Sequence, residues 1–97
     1  MSADRPLFDP GRVMATPGVL GAFTENELHV YLDRHMRGDW GNVSRDDWAA
    51  NDASLADGSR VLSAYVRDDG RKLYIITEAK GDDGLRSSTT CLLPEEY

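Results

Sequence analysis

Glu78, His35 and either Arg67 or Arg86 form a set that could cleave a phosphodiester without metal. Glu78 would act as general base, His35 as acid, and an arginine would hold the phosphate. Around Glu78 the residues alternate. One face of a strand pair would carry Tyr65, Arg67, Lys72, Tyr74 and Glu78, with Thr89 or Thr90 joining from a later strand and Arg86 beside them. Rings interleaved with cations suit RNA, because rings stack on bases and cations meet phosphate. The plainer reading of the same residues is a solvated face held by cross-strand pairs, and no spacing among them is diagnostic.

A second group is the run His35-Met36-Arg37-Gly38-Asp39-Trp40-Gly41, a helix end with two glycines. Arg37, Asp39 and Trp40 could face a ligand there. The plainer alternative has Trp40 plugging the core and Asp39 bonding loop amides. His35 lies mid-stripe on its helix, so it reads as a half-buried core residue turned away from the Glu78 face. His29, at the stripe's edge, reads as a surface residue. Asn51 falls beside Trp48 and Leu55 on a helix face that should be apolar. A buried amide must find partners or lose about 1–3 kcal/mol, so Asn51 is expected to clamp backbone, with the 38–44 loop as the nearest target. Orienting a ligand is the alternative for it. Cys91, between Thr90 and Leu92, reads as packing rather than as a nucleophile.

Other chemistries lack their residues. There is no glycine-rich phosphate loop and no His-Glu-x-x-His pattern. Asp46-Asp47 and Asp82-Asp83 lack the further ligands of a calcium loop. No metal and no cofactor are expected.

The elements that must position these residues are marked by caps and turns. Residues 1–11 form an irregular lead-in to a single domain over 12–97, with a short strand at Arg12–Ala15. Thr16-Pro17 starts a short helix. Thr24 to Glu27 is a capping box, followed by the apolar stripe Leu28, Tyr31, Leu32, His35 and Met36, with Gly38 as the stop. Ser44 opens another helix, 45–56, that presents Trp48 and Leu55 inward before Asp57-Gly58. From Ser59 the period is two. Asp69-Gly70 as a two-residue turn would set Val66 against Leu73, Ala64 against Ile75 and Leu62 against Thr77, all inside. Residues 80–86 read as a mobile loop, and 87–93 as a third strand ended by Pro94. The expected fold is α+β, with N-terminal helices packed on one face of a C-terminal three-stranded antiparallel meander.

Ninety-seven residues with 40% hydrophobic and 29% charged side chains suit one small globular domain. The net charge of −6 excludes a global attraction to nucleic acid or anionic lipid, leaving only a local basic patch for RNA. No apolar run is long enough for a membrane span, and no export segment is recognisable at the start. With a single cysteine, the reading is a cytoplasmic protein without disulfides.

Three stretches taken together resemble a known family: Ala15-Thr16-Pro17-Gly18; Arg34 to Gly41; and Ile76-Thr77-Glu78 with Arg86-Ser87 and Thr89 through Tyr97. The resemblance runs from about Phe8. It is to small bacterial proteins of plasmids and other mobile elements, labelled plasmid-related protein or type I restriction endonuclease subunit M. A methyltransferase or helicase subunit needs far more chain than this. Against the family pattern, residues 80–85 look inserted between Glu78 and Arg86. The order of helices before a small antiparallel sheet also resembles barnase- and colicin-type ribonucleases, an analogy of architecture only.

The resulting expectation is a non-enzymatic acidic module that binds a host protein or a defence complex. The alternatives are a metal-independent toxin-type ribonuclease using His35, Glu78 and Arg86, and an RNA binder without chemistry. The candidate binding residues are Arg37, Asp39, Trp40, Asn51, Tyr65, Arg67, Tyr74 and Thr90.

Overall fold

Helix starts obey the local rules. Glu27 N–H donates to Thr24 Oγ1 at 3.1 Å and Thr24 N–H donates to Glu27 Oε1 at 2.8 Å, closing the capping box. The computed structural model describes residues 6–97. Its helices are α1 (Pro17–Ala22), capped by Thr16, α2 (Glu25–Met36) and α3 (Arg45–Asp57), capped by Ser44. Residues 1–5 of the expected lead-in lie outside the described residues. Residues 6–11 carry no helix or strand and lie largely on the surface, tied to α2 by Leu7 N–H donating to Met36 O at 2.8 Å.

The fold class is α+β, but the sheet has four strands and is mixed. The strands β1 (Arg12–Ala15), β2 (Val61–Val66), β3 (Lys72–Thr77) and β4 (Ser88–Leu92) lie in the order β1-β4-β3-β2. The strand β3 is antiparallel to both neighbours, whereas β1 is parallel to β4. The expected three-stranded antiparallel meander is therefore corrected by a strand from the other end of the chain. Parallel pairing needs a long connection and leaves no turn signature for the eye to find.

The hairpin register also differs, by one residue. Arg67 N–H donates to Arg71 O and Gly70 N–H to Arg67 O, both at 2.8 Å, and Gly70 has φ +89°. The turn therefore has three residues, with glycine in the left-handed position, instead of two. Val61, Ser63 and Tyr65 consequently pair with Thr77, Ile75 and Leu73. A single-residue slip turns a strand over. Val61, Ser63 and Tyr65 are buried, Leu62 and Ala64 are half-buried on the other face, and Val66 is exposed. Leu73 and Ile75 do point inward.

Helices α1 and α2 cover this inner face. Val19, Phe23 and Leu28 pack with Tyr65, Leu73, Ile75, Cys91 and Leu93. On the outer face, a 3-10 turn (Pro94–Glu96) carries Tyr97 to Tyr74, with ring centroids 5.9 Å apart. Glu96 fixes that turn: its carboxylate accepts from Thr16 Oγ1 at 2.6 Å, Leu93 N–H at 2.8 Å and Gly18 N–H at 3.1 Å.

Helix α3 flanks β2 rather than joining α1 and α2 over the face. It buries Asn51 and Ser54 and leaves Trp48 37% exposed, against the expectation that Trp48 is internal. Its polar inner residues have a use, because the outward backbone groups of β2 need partners. Asn51 Nδ2 donates to Leu62 O at 2.8 Å and Leu62 N–H donates to Asn51 Oδ1 at 3.2 Å. Ala64 N–H donates to Trp40 O, and Asn42 N–H to Ala64 O. The 80–86 segment, expected to be a mobile loop, is a bonded turn: Gly81 N–H donates to Leu85 O and Lys80 N–H to Gly58 O.

Candidate functional site

The sequence-nominated catalytic residues separate in the structure. His35 is fully buried between α2 and the sheet, against Phe8 and Trp40 at ring-centroid distances of 5.4 and 5.6 Å. Both ring nitrogens are engaged, Nδ1 with Ser63 Oγ at 2.5 Å and Nε2 with Thr77 Oγ1 at 2.8 Å. The direction of each bond follows by counting hydrogens. Thr89 has one hydroxyl proton and donates it to Pro10 O at 2.8 Å. Thr77 must then donate to Thr89, 2.6 Å away. Thr77 Oγ1 can only accept from His35 Nε2–H, so Nδ1 is bare and accepts from Ser63. The result is one ordered chain from Ser63 through His35, Thr77 and Thr89 to the Pro10 carbonyl. Burial pushes the imidazole pKa down to about 3, and the nearby Arg86 charge acts in the same sense. A neutral ring sealed from solvent does not supply a proton to a substrate at neutral pH.

Arg86 is buried as well. Nη1 donates to Ser59 O at 2.7 Å and Glu78 O at 3.0 Å, and Nη2 to Ser54 O at 2.9 Å. The guanidinium lies over Phe8, 5.5 Å from the ring centroid. Its work is to tie the end of α3 to the end of β3, so the sequence-based role of phosphate clamp is corrected. The Glu78 side chain is exposed. It follows Thr77, whose hydroxyl reaches inward to His35, and successive strand side chains leave on opposite faces. His35, Glu78 and Arg86 therefore share no cleft.

The residues of the 34–41 segment bind one another. Arg34 Nε donates to Asp39 Oδ2 at 2.7 Å, holding the Asp39 carboxyl below the usual range, and Gly41 N–H donates to Asp39 Oδ1 at 3.2 Å. The Arg34 guanidinium also lies over Tyr65, 4.7 Å from the ring centroid. Trp40 is fully buried and donates from Nε1 to Asp52 Oδ1 at 2.9 Å. Arg37 pairs with Asp33 at 3.1 Å along the helix. This is the helix-end and core arrangement, with Trp40 as the plug. Asn51 does clamp backbone, but its target is Leu62 rather than the 38–44 loop.

The strand face proposed for RNA is divided. Tyr65 turns inward and donates to Asp39 O at 2.7 Å. Arg67 donates to Ala22 O at 2.9 Å and pairs with Glu27 and Asp69, fastening the hairpin to the α1–α2 junction. Tyr74 and Thr90 remain on the outer face, where both are half-buried. Cys91 is buried on the inner face, and burial pushes its thiol up to about 11, which suits packing.

Sequence reasoning missed Ser63, Thr77, Thr89 and Phe8 as the surroundings of His35. The available signal was the histidine itself, since a core imidazole needs a partner at each nitrogen and strand hydroxyls are the natural supply. An apolar groove of about 230 Å³ also went unforeseen; it lies between β1, α1 and α2, lined by Val13, Ala15, Leu20, Leu28 and Leu32. Among the described residues no cluster of His, Cys, Asp or Glu is arranged to hold a metal ion, and no helix is long and apolar enough to cross a membrane.

Comparison with protein-family models, curated proteins and solved structures finds no match to this chain.

Proposed function

We propose that this chain is a non-enzymatic binding module that presents an acidic surface to a cationic protein partner in the cytoplasm. The mobile-element resemblance makes a host protein or a defence complex the natural target. One contrast carries the reading. The groups best suited to chemistry, His35 and Arg86, are consumed inside the molecule, whereas Asp46, Asp47, Asp57, Glu78, Asp82 and Asp83 stand exposed. Exposed surface carboxylates raise the association rate with a cationic groove and make it sensitive to salt.

The test immobilises the protein, captures partners from bacterial lysate at low salt, and measures association of any captured protein. Asp46→Asn with Asp47→Asn should slow association several-fold at low salt and have little effect at high salt. Capture that ignores both salt and these substitutions overturns the reading. So does RNA cleavage in EDTA that disappears in Glu78→Ala.

An RNA binder without chemistry keeps one supporting observation. Lys72 and Tyr74 border an outer-face hollow of about 290 Å³, and Arg60 donates to the hydroxyl of the adjacent Tyr97 at 3.0 Å. That reading requires RNA binding that falls steeply with salt and is lost in Tyr74→Ala.

A further inference from the structure

We propose that the free edge of β1 pairs with β1 of a second copy of this chain, joining two sheets into one across a twofold axis. The two edges of the sheet are treated differently. At the β2 edge the outward groups of Leu62 and Ala64 are all bonded, by Asn51, Trp40 and Asn42. At the β1 edge the outward groups have no partner among the described residues. Arg12 N–H donates to Ser87 O and Thr16 N–H to Cys91 O, so the alternation of a parallel ladder turns Arg12, Met14 and Thr16 toward β4. Val13 and Ala15 aim their N–H and C=O groups away from the sheet. No strand lies beyond them among the described residues.

Those four groups permit one symmetric antiparallel register. Val13 of each copy forms a hydrogen-bonded pair with Ala15 of the other, giving four backbone bonds, and Met14 faces Met14 on the axis. Side chains fall on matching faces. Val13 lies on the inner face with Thr89, where the groove between β1, α1 and α2 opens. Val13, Met14 and Leu20 are 48%, 40% and 62% exposed in the single chain. This contact sets Met14 against its own equivalent and Val13 against Ala15, with Leu20 beside them at the groove.

Charge selects a second copy as the occupant. In this register Arg12 stands opposite Thr16 of the second copy, the residue whose hydroxyl donates to the Glu96 carboxylate at 2.6 Å. Each Arg12, which has no ion pair among the described residues, thereby meets an acid of the other chain. The symmetry makes two such pairs. An unrelated strand would have to supply both the apolar centre and a cation at the right step.

Sedimentation of the full chain from about 1 to 500 μM tests the proposal, together with a cysteine pair. A concentration-dependent dimer is expected. Val13→Pro removes an outward N–H while sparing the β1–β4 ladder, and should raise the dissociation constant at least tenfold. Arg12→Glu should weaken the dimer, with the fold of both variants intact by circular dichroism. With a mild thiol oxidant added, Met14→Cys should form a rapid intermolecular disulfide, because residues on the axis of a non-hydrogen-bonded pair lie about 4.5 Å apart at Cα. Arg12→Cys should not. A monomer throughout the range overturns the proposal. A dimer indifferent to Val13→Pro, or one in which Met14→Cys fails to cross-link, places the contact elsewhere and overturns it equally.

Discussion

His35 and Ser63 meet through Nδ1 and Oγ at 2.5 Å, and neither side chain has any exposed surface. The pair couples α2 to β2, and it explains why the polar side of β2 is the inner one. A buried hydroxyl and a buried imidazole each need a partner, and they supply one another.

This arrangement makes stability depend on pH. The folded imidazole resists protonation down to about pH 3, while an unfolded chain takes up the proton near the ordinary value of 6.5. The contribution of His35 is complete above 6.5 and is lost as pH falls from there toward 3, by about 1.4 kcal/mol per pH unit. Carboxylates such as Asp69, lowered to about 2 chiefly by Arg67, add losses only in the acid range below their unfolded values. Urea unfolding at pH 7.5 and pH 5 should show the drop in the natural chain. His35→Gln should be weaker at pH 7.5 and nearly level between the two, and parallel slopes in both proteins would refute this account.

Arg86 ties three backbone carbonyls from three places in the chain. Arg86→Met keeps an unbranched apolar stem, removes the guanidinium from over Phe8 and leaves those carbonyls unpaired. It should cost about 3 kcal/mol, which for a domain of this size lowers Tm by roughly 10–20 °C. Arg86→Lys should recover little, because a compact ammonium cannot span a fork of acceptors. Thermal melts of the two variants decide it; a fully stable Arg86→Lys would show that charge alone suffices.

The β2 edge gives a third prediction. Asn51→Leu suits the helix face but strips both bonds from Leu62, costing about 1–3 kcal/mol. Gly41→Ala should be worse. Gly41 has φ +76°, and an added Cβ would collide with Ala64 O and the Tyr65 ring. Both variants should also scatter more light on heating, since an opened strand edge recruits other chains. Chemical denaturation and light scattering measure the two effects, and an Asn51→Leu protein of unchanged stability would remove Asn51 from this role.

Local chemistry was legible in the residues. The capping box of α2 and the cap of α3 declare themselves through side chains within three residues of their targets. His35 as an interior residue and Asn51 as a backbone clamp follow from polar groups on faces that should be apolar. The face of β2 was not legible, because Asp69-Gly70 serves a two-residue and a three-residue turn alike, and the choice inverts the strand. Hydrophobicity favoured Leu62, Ala64 and Val66 as the inner set. The interior instead takes Ser63 and Tyr65, whose polar atoms find His35 and Asp39 O on elements remote in sequence. For the same reason the ribonuclease set looked plausible on one line of text and came apart in space.

The partnership of β1 with β4, and of Thr16 with Glu96 across 80 residues, imposes an order of assembly. The helices and the central hairpin join residues close in sequence, whereas Val13 and Met14 must meet a partner strand from the far end of the described chain. Closing so long a loop is slow relative to those local steps. In refolding, β1 is therefore expected to dock after the local elements have formed, at the speed of the longest loop closure.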